Sequence, residues 1–349
     1  MHMQNELLSP GVAVGTIAIA AGAVGFICHR AKSLINSDRF ALMGIMGAFV
    51  FAAQMVNFPL PFLPGTSGHM VGAVMLAIML GPVPASIVLS SVIIVQCLIF
   101  QDGGLLALGC NIINMAIVPC FLGCCVYNIG SPPHSGKVRT YISSVIACVL
   151  AMVTGAMLVT LETALSGVLI VPPLTFMATM AGVHIIIGFI EGLITAAVLL
   201  YLRQVHPPAF AESRIESPAS GKRALYATFL IAALVVGAGL SLLAVDKPDG
   251  LEWSYAQRPD QPTFEAIISN DSVVMAAVDR VQSKLSPLPD YTIRTEATEA
   301  ATGEGSTHAG MGWTSFAAVA GSAITMLLVW SAGRAIRKRD GLGNAPYPN

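Results

Sequence analysis

The first two residues of the chain, Met1 and His2, carry the donor groups needed to chelate a metal ion. A free amino terminus followed by histidine offers three nitrogens: the terminal amine, the backbone nitrogen of His2 and its imidazole. These donors close a five-membered and a six-membered ring in nearly one plane, which suits square-planar or tetragonal ions. The backbone nitrogen must lose its proton, so the chelate favours strongly polarising ions such as Cu²⁺, Ni²⁺ and Co²⁺ over Zn²⁺, Ca²⁺ or Mg²⁺.

A fourth donor in this plane is expected from His69, in the segment "PGTSGHMVGA". Imidazole is a good ligand for nickel, copper and cobalt, and the glycines around His69 would let another part of the backbone come close. Each histidine also has a simpler interpretation, because a histidine at position 2 is usually accidental and one at a helix entry is usually a cap or an interfacial anchor. The chelate chemistry alone leaves these alternatives open.

Further polar residues lie within the apolar runs, where ionisable groups are costly and often functional. We expect Ser67, Asn114 and His184 to surround the metal donors, since ligating histidines usually have an outer partner. Contacts between helices are the alternative for His184 and Glu191, and packing is expected for most of a further set, Gln96, Asp102, Asn111 and Asn114. Glu162 is expected to be solvated near an outer helix end, and Cys120, Cys124 and Cys125 to be packing residues.

The composition that must position these residues is that of a polytopic membrane protein. The chain has 349 residues, of which 55% are hydrophobic and 11% charged, with a mean hydropathy of +0.73; soluble domains carry about 25% charged residues. Nucleic acid is not expected as a partner, because no basic patch lies outside the loops that flank the apolar runs. The seven cysteines all lie in or beside apolar runs, so no disulfide framework is expected.

Nine apolar runs approach the length of about 20 residues that crosses a bilayer. They lie near 11–28, 40–57, 70–81, 84–100, 105–126, 141–165, 176–202, 224–245 and 313–333. The run at 70–81 is short, and "GPVP" at 81–84 separates it from the next run. We interpret it as a separate span; a half-helix or a tightly turned pair is the alternative.

Charge placement predicts an outside N-terminus and a cytoplasmic C-terminus. Thirteen of the eighteen basic residues fall in the segments that this topology places inside, and the short outside loops 57–69, 101–104 and 166–175 have none. The first apolar run lacks a basic segment before it, so it is expected to be an uncleaved helix and not a signal peptide. Met1 is expected to be retained, because removal of the initiator methionine requires a small second residue.

The chain divides into two membrane parts. Residues 1–202 form the first part, 203–223 are a polar linker containing proline and serine, and 224–340 form a second part with two spans. The spans of the second part flank an acidic outer segment, 246–312, whose helical periodicity predicts a small folded cap.

Four blocks of residues 1–202 resemble the substrate-binding S component of nickel/cobalt energy-coupling factor (ECF) transporters, the NikM/CbiM family. They are "MH" with "LSP" at 8–10, "PGTSGHMVGA" (64–73), "LIFQDGGLLALGCNIINMAIV" (98–118) and "GVHIIIGFIEGLIT" (182–195). "DKPDGLEWSYA" (246–256) is similar to the PDGLE motif of the NikN/CbiN component, here fused to the first part. The residues at 5–7 depart from the family pattern, which often has a glycine at 6.

The resemblance implies an all-α polytopic fold: a seven-helix bundle plus two further transmembrane helices flanking a small extracytoplasmic segment. It implies that Met1, His2 and His69 hold Ni²⁺ or Co²⁺ as the transported substrate, with no cofactor. A separate transmembrane coupling subunit and ATPase subunits would drive import across the cell membrane. The chain has no Gly-x-x-x-x-Gly-Lys-Ser/Thr phosphate loop, which agrees with a transport subunit that is not an enzyme.

Three alternatives to a nickel-importing component remain. A cobalt-specific component serving cobalamin biosynthesis would use the same donors. An S component for a vitamin would need an aromatic-lined outer pocket, whereas the outer loop near His69 is mostly Pro, Gly and aliphatic. An intramembrane metalloprotein with catalytic activity would usually carry a motif such as H-E-x-x-H, which the sequence lacks.

Overall fold

The computed structural model of the chain describes residues 1–32, 37–132, 135–205, 219–245, 247–256, 265–291 and 311–338. The helices in these residues are α1 (Pro10–Ala31), α2 (Ser37–Gln54), α3 (Ala73–Leu80), α4 (Pro82–Ile99), α5 (Leu108–Gly130), α6 (Lys137–Ser166), α7 (Pro173–Val205), α8 (Ala219–Ala238), α9 (Gly250–Tyr255), α10 (Val273–Leu285) and α11 (Met311–Lys338). Short 3₁₀ turns occur at Asn5–Leu7, Leu240–Leu243 and Pro289–Tyr291. Two short antiparallel strands, β1 (Phe58–Pro59) and β2 (Ser67–Gly68), form the hairpin that precedes His69.

The expected helical membrane fold is confirmed. Seven of the described helices are long and apolar enough to cross a membrane, namely α1, α4, α5, α6, α7, α8 and α11. The apolar part of α2, Arg39–Gln54, is shorter than these. Most of the predicted linker at 203–223, and residues 292–310 of the outer segment, lie outside the described residues.

The interpretation of 70–81 as a separate span is wrong, and the structure has the alternative, a half-helix. Helix α3 has eight residues, which corresponds to about 12 Å, whereas the hydrocarbon core is about 30 Å thick. Two glycines with positive φ set its ends: Gly72 (φ 77°) precedes the helix and Gly81 (φ 89°) follows it. L-residues with a Cβ rarely adopt this conformation, so the apolar run is interrupted at both points and α3 is a half-helix.

The backbone that leads into α3 is buried and is satisfied by side chains from other helices. The Glu191 carboxylate on α7 accepts hydrogen bonds from the backbone nitrogens of Val71 (2.7 Å) and Gly72 (2.9 Å). The Gln54 amide on α2 donates to the Val71 carbonyl at 2.7 Å. Since irregular backbone at membrane depth needs partners inside the protein, Glu191 has a structural role: it satisfies the backbone that leads into this half-helix.

The second part of the chain packs on the first along α2. Helices α8 and α11 both lie against α2, and a Cβ at Gly321 of α11 would come within 2.1 Å of the Phe51 ring. On the predicted outer side, α9 packs against α7, and α10 packs against the 3₁₀ turn near the N-terminus. The outer segment therefore lies beside the first nine residues of the chain.

Candidate metal centre

The N-terminal segment, residues 1–8, folds back into the bundle and is held through its backbone. Asn111 on α5 pairs with both polar groups of Met3: its Oδ1 accepts from the Met3 nitrogen at 2.7 Å, and its Nδ2 donates to the Met3 carbonyl at 3.1 Å. The Gly104 nitrogen donates to the same carbonyl at 2.9 Å. The side chains of Met1, Met3, Leu7 and Leu8 are buried. These contacts fix where residues 1 and 2 lie.

The terminal amino group of Met1 lies between His69 and Asp249. Its nitrogen is 3.2 Å from His69 Nε2 and donates to Asp249 Oδ2 at 2.5 Å. Met1 is 4% exposed, so the amino group is enclosed by protein. Asp249 precedes α9, and its Oδ1 caps that helix by accepting from the Leu251 and Glu252 nitrogens.

The imidazole of His2 lies beside that of His69. The two ring centroids are 5.7 Å apart and the ring planes differ by 11°. His2 Nδ1 lies 3.0 Å from Asp102 Oδ1 and His2 Nε2 lies 3.0 Å from Gln96 Oε1. The structure thus brings together the three residues that the sequence predicted as metal donors, Met1, His2 and His69.

Burial and the nearby positive groups favour a neutral His69 imidazole, although the Asp249 and Asp102 carboxylates act in the opposite direction on its pKa. Burial lowers the pKa of His69 to about 3, and the terminal amino group and His2 act in the same direction. Burial alone would raise the pKa of Asp249, but the terminal amino group and His69 outweigh it and lower that pKa. The His69 lone pair is therefore available to a cation, and the adjacent carboxylate supplies compensating charge.

Two of the residues predicted to surround the metal donors, Ser67 and His184, make their hydrogen bonds to other parts of the chain. Ser67 donates its hydroxyl to the carbonyls of Lys247 (2.8 Å) and Pro248 (3.2 Å), which fastens the loop that carries Asp249. His184 Nδ1 bonds the Met180 carbonyl of its own helix at 2.8 Å, and its Nε2 has no partner among the described residues. The structure connects His184 by hydrogen bonds to none of the three donors within the part of the chain that it describes.

Asn114 and Glu162 form a buried pair below the N-terminal segment. Asn114 Nδ2 donates to Glu162 Oε2 at 2.7 Å and lies 3.8 Å from the Met3 sulfur. Asn114 sits in a π-helical stretch of α5, Ile112–Ile117. The expectation that Glu162 is solvated is wrong, because α6 turns this residue into the bundle, where it is 7% exposed.

Four residues of the centre were not predicted as site residues: Gln96, Asp102, Asn111 and Asp249. Asp102 and Asn111 lie in the block "LIFQDGGLLALGCNIINMAIV", and Gln96 lies two residues before it; packing was the expected role for most of these polar residues. Asp249 is the first of the two acidic residues of "PDGLE". The run of acidic and amide residues beside a glycine pair was the available signal for Asp102, but no signal linked Asp249 to a residue 248 positions earlier.

Side chains alone do not complete a metal site in the described residues. No group of three or more His, Cys, Asp or Glu residues there is arranged to hold an ion. Cys120 and Cys124 are buried and face carbonyls of α3, whereas Cys125 is exposed, so these thiols serve packing.

The fold and the centre define a class: a helical membrane protein with a buried, nitrogen-rich centre suited to a transition-metal ion. Comparison with protein families agrees. The family described as the "cobalt uptake substrate-specific transmembrane region", CbiM, matches residues 2–209, and the PDGLE domain matches residues 223–338. The chain belongs to the CbiM family and carries a PDGLE domain behind the CbiM region.

The related proteins include two whose names describe them as fused nickel transport proteins. A fused nickel transport protein NikMN of Rhodobacter capsulatus is 30% identical, with 83% of this chain and 88% of that protein covered. A putative fused nickel transport protein NikMN of Archaeoglobus fulgidus is 31% identical, with coverages of 70% and 78%. A crystal structure of a transition metal transporter is 28% identical over 59% of this chain and 94% of its own, with a TM-score of 0.51. The protein is thus a membrane component of metal uptake and not an enzyme.

Proposed function

We propose that this chain is the substrate-binding component of an ATP-driven ECF-type transporter that imports Ni²⁺ or Co²⁺. The ion is captured by the amine of Met1, the backbone nitrogen and imidazole of His2, and the imidazole of His69. The observation that carries the proposal is the buried amine of Met1 at 3.2 Å from His69 Nε2.

This separation agrees with the coordination geometry of the proposed chelate. In the planar arrangement, the Met1 amine, the His2 nitrogen and His2 Nδ1 occupy three corners, so His69 must take the corner next to the amine. Metal–imidazole bonds are about 2 Å long, so neighbouring donors in one plane lie roughly 3 Å apart. The nitrogen of the Met1 amine and His69 Nε2 are 3.2 Å apart in the structure, which is close to this expected spacing.

The nature of the donors favours nickel. Four nitrogens in one plane, one of them a deprotonated amide, suit Ni²⁺ better than ions that prefer oxygen or a tetrahedron. Two of the fused relatives carry nickel in their names, and the matched family is described by cobalt. A cobalt-specific component is the second candidate, since Co²⁺ accepts the same donors.

In the proposed transporter, the N-terminus and the centre face the outside of the cell membrane, and the C-terminus is cytoplasmic. A separate transmembrane coupling subunit and two ATPase subunits use ATP to reorient the bundle and release the ion inside. Capture releases protons from the amine and the amide. The acidic outer segment raises the local cation concentration and keeps the N-terminal segment in place.

The proposal is tested by blocking the terminus. Chains extended by one glycine before Met1, or acetylated at its amine, should lose high-affinity Ni²⁺ binding, as should His2→Ala and His69→Ala. Binding isotherms and metal content of purified protein are the measurements. Cys120→Ala is the matched control and should retain about one ion per chain. Full binding by the glycine-extended chain would exclude the terminal chelate.

A further inference from the structure

A chain of three buried hydrogen bonds links His2 to the backbone before α3. His2 Nε2 lies 3.0 Å from Gln96 Oε1 on α4. Gln96 Nε2 donates to Gln54 Oε1 on α2 at 2.7 Å, and Gln54 Nε2 donates to the Val71 carbonyl at 2.7 Å. The Gln96 and Gln54 side chains are buried, so water does not supply alternative partners.

The donor and the acceptor of each of these three hydrogen bonds follow from the last acceptor, the Val71 carbonyl. A backbone carbonyl can only accept, so Gln54 must present its NH₂ group to Val71. Its carbonyl oxygen then faces Gln96, which must present its own NH₂ group to Gln54. The carbonyl oxygen of Gln96 therefore faces His2, and Gln96 can only accept from His2 Nε2.

The same logic applies to the second imidazole. His69 Nδ1 lies 3.3 Å from the Met70 carbonyl, which can only accept, so His69 carries its proton on Nδ1 and offers Nε2. The contacts that end at two adjacent carbonyls, Met70 and Val71, thus provide an acceptor for one N–H of each imidazole: Nδ1 of His69 and Nε2 of His2. A ligating histidine commonly donates its other N–H in this way, which fixes the tautomer and the ring orientation.

We infer that Gln54 and Gln96 are positioning residues that select Nδ1 of His2 as its metal-binding nitrogen. This inference rests on the proposed function, because Nδ1 is the atom that closes the six-membered ring with the His2 backbone nitrogen. When an ion replaces the contact of Nδ1 with Asp102, Nε2 must keep its proton, and Gln96 Oε1 is the acceptor held for it. Gln54 acts through Gln96 by preventing the Gln96 amide from turning over.

The inference predicts the effect of removing each amide. Gln96→Leu should weaken Ni²⁺ binding about 10- to 100-fold, the usual range for outer partners of metal ligands. Gln54→Leu should weaken binding about tenfold, because the freed Gln96 amide can then turn its NH₂ group toward Nε2. Ser91→Ala, which removes a buried hydroxyl of α4 bonded to its own helix, is the control and should bind as the unaltered protein does.

The decisive experiment adds Gln96→Glu to Gln54→Leu. A carboxylate has only acceptors, so it needs no Gln54 to orient it, and the double variant should regain most of the Ni²⁺ affinity lost in Gln54→Leu. If the two glutamines only stabilised the fold, burying an unpaired carboxylate would make the double variant worse. Ni²⁺ isotherms and unfolding midpoints of the full chain measure both quantities.

Two results would overturn the inference: unchanged affinity in both leucine variants, or a double variant weaker than Gln54→Leu. Failure of the proposed function has a different signature. In that case His2→Ala would retain the ion, and the absorption spectrum of bound Ni²⁺ in the unaltered protein would lack the band of a planar site. The Gln54 and Gln96 variants are interpreted only where that band is present.

Discussion

The atoms that surround the Met1 amine come from two distant parts of the chain. The amine bonds Asp249 of the PDGLE domain and lies beside His69 of the loop before α3, while Ser67 holds the Asp249 loop in place. A metal-bound amine retains two N–H groups, and Asp249 can accept one of them. Asp249 is thus suited to orient the amine without itself binding the ion.

Asp249→Asn separates the charge of this residue from its role as a helix cap. The asparagine oxygen can still accept from the nitrogens of Leu251 and Glu252, so α9 should keep its N-cap. Loss of the carboxylate should weaken Ni²⁺ binding by about tenfold, because the amine loses its charged acceptor. Isotherms measure the effect, with Glu252→Gln as the control on the same helix; equal affinities in the two variants would contradict it.

Among the structural elements, the N-terminal segment depends most on close backbone contact. It lies against the glycine pair Gly103–Gly104, and the Asn5 side chain accepts from the Leu106 nitrogen at 2.8 Å. A Cβ at Gly104 would come within 2.3 Å of Asn5 Oδ1 and 2.4 Å of the Asn5 nitrogen. Only glycine at 104 lets the segment approach the start of α5 and deliver residues 1 and 2 to the centre.

Gly104→Ala should therefore displace the N-terminal segment while leaving the bundle folded. Overpacking of this kind costs about 1–3 kcal/mol, and the segment can escape by undocking. We expect large loss of Ni²⁺ binding with little change in helix content, measured by isotherm and circular dichroism. Gly22→Ala on α1 is the matched control, since a Cβ there meets nothing within 4 Å. Unaltered binding by Gly104→Ala would show that docking does not need this contact.

In the whole molecule, the PDGLE domain joins the centre through its outer segment. Gln282 on α10 donates to the carbonyls of Cys97 (3.1 Å) and Gly103 (2.8 Å) and accepts from the Leu105 nitrogen at 2.8 Å. Asn270 donates to the carbonyls of Glu6 and Leu8 at 2.8 Å each. The two membrane parts are thus one unit at the centre.

Gln282→Ala tests this coupling. It leaves buried backbone groups of the 97–105 segment without partners, each costing about 1–3 kcal/mol, and it frees the loop that carries Asp102. We expect weaker Ni²⁺ retention and faster amide hydrogen exchange in both the N-terminal segment and the 101–106 loop. The neighbouring variant Ser283→Ala changes an exposed side chain and should alter neither. If amide hydrogen exchange in the 101–106 loop were unchanged in Gln282→Ala, the outer segment would not be what holds this loop in place.

Local patterns predicted much of this arrangement. The apolar runs predicted the long helices because about 20 apolar residues are needed whatever the neighbours are. The chelating character of Met1 and His2 follows from covalent chemistry, and the segment around His69 had a recognisable motif. The sequence left the half-helix at Ala73–Leu80 as an alternative to a separate span, because hydropathy does not report φ and two glycines end this helix within an apolar run.

The sequence by itself determined the membrane class, the two-part organisation into CbiM and PDGLE regions, and three nitrogen-bearing candidates, since each depends on composition or on contiguous residues. Only the tertiary structure decided that Asp249 reaches the amine, that Glu162 is buried, and that Gln54 and Gln96 link His2 to Val71. These contacts join residues far apart in the chain, and their hydrogen-bond directions depend on how the helices pack. No local pattern encodes that packing.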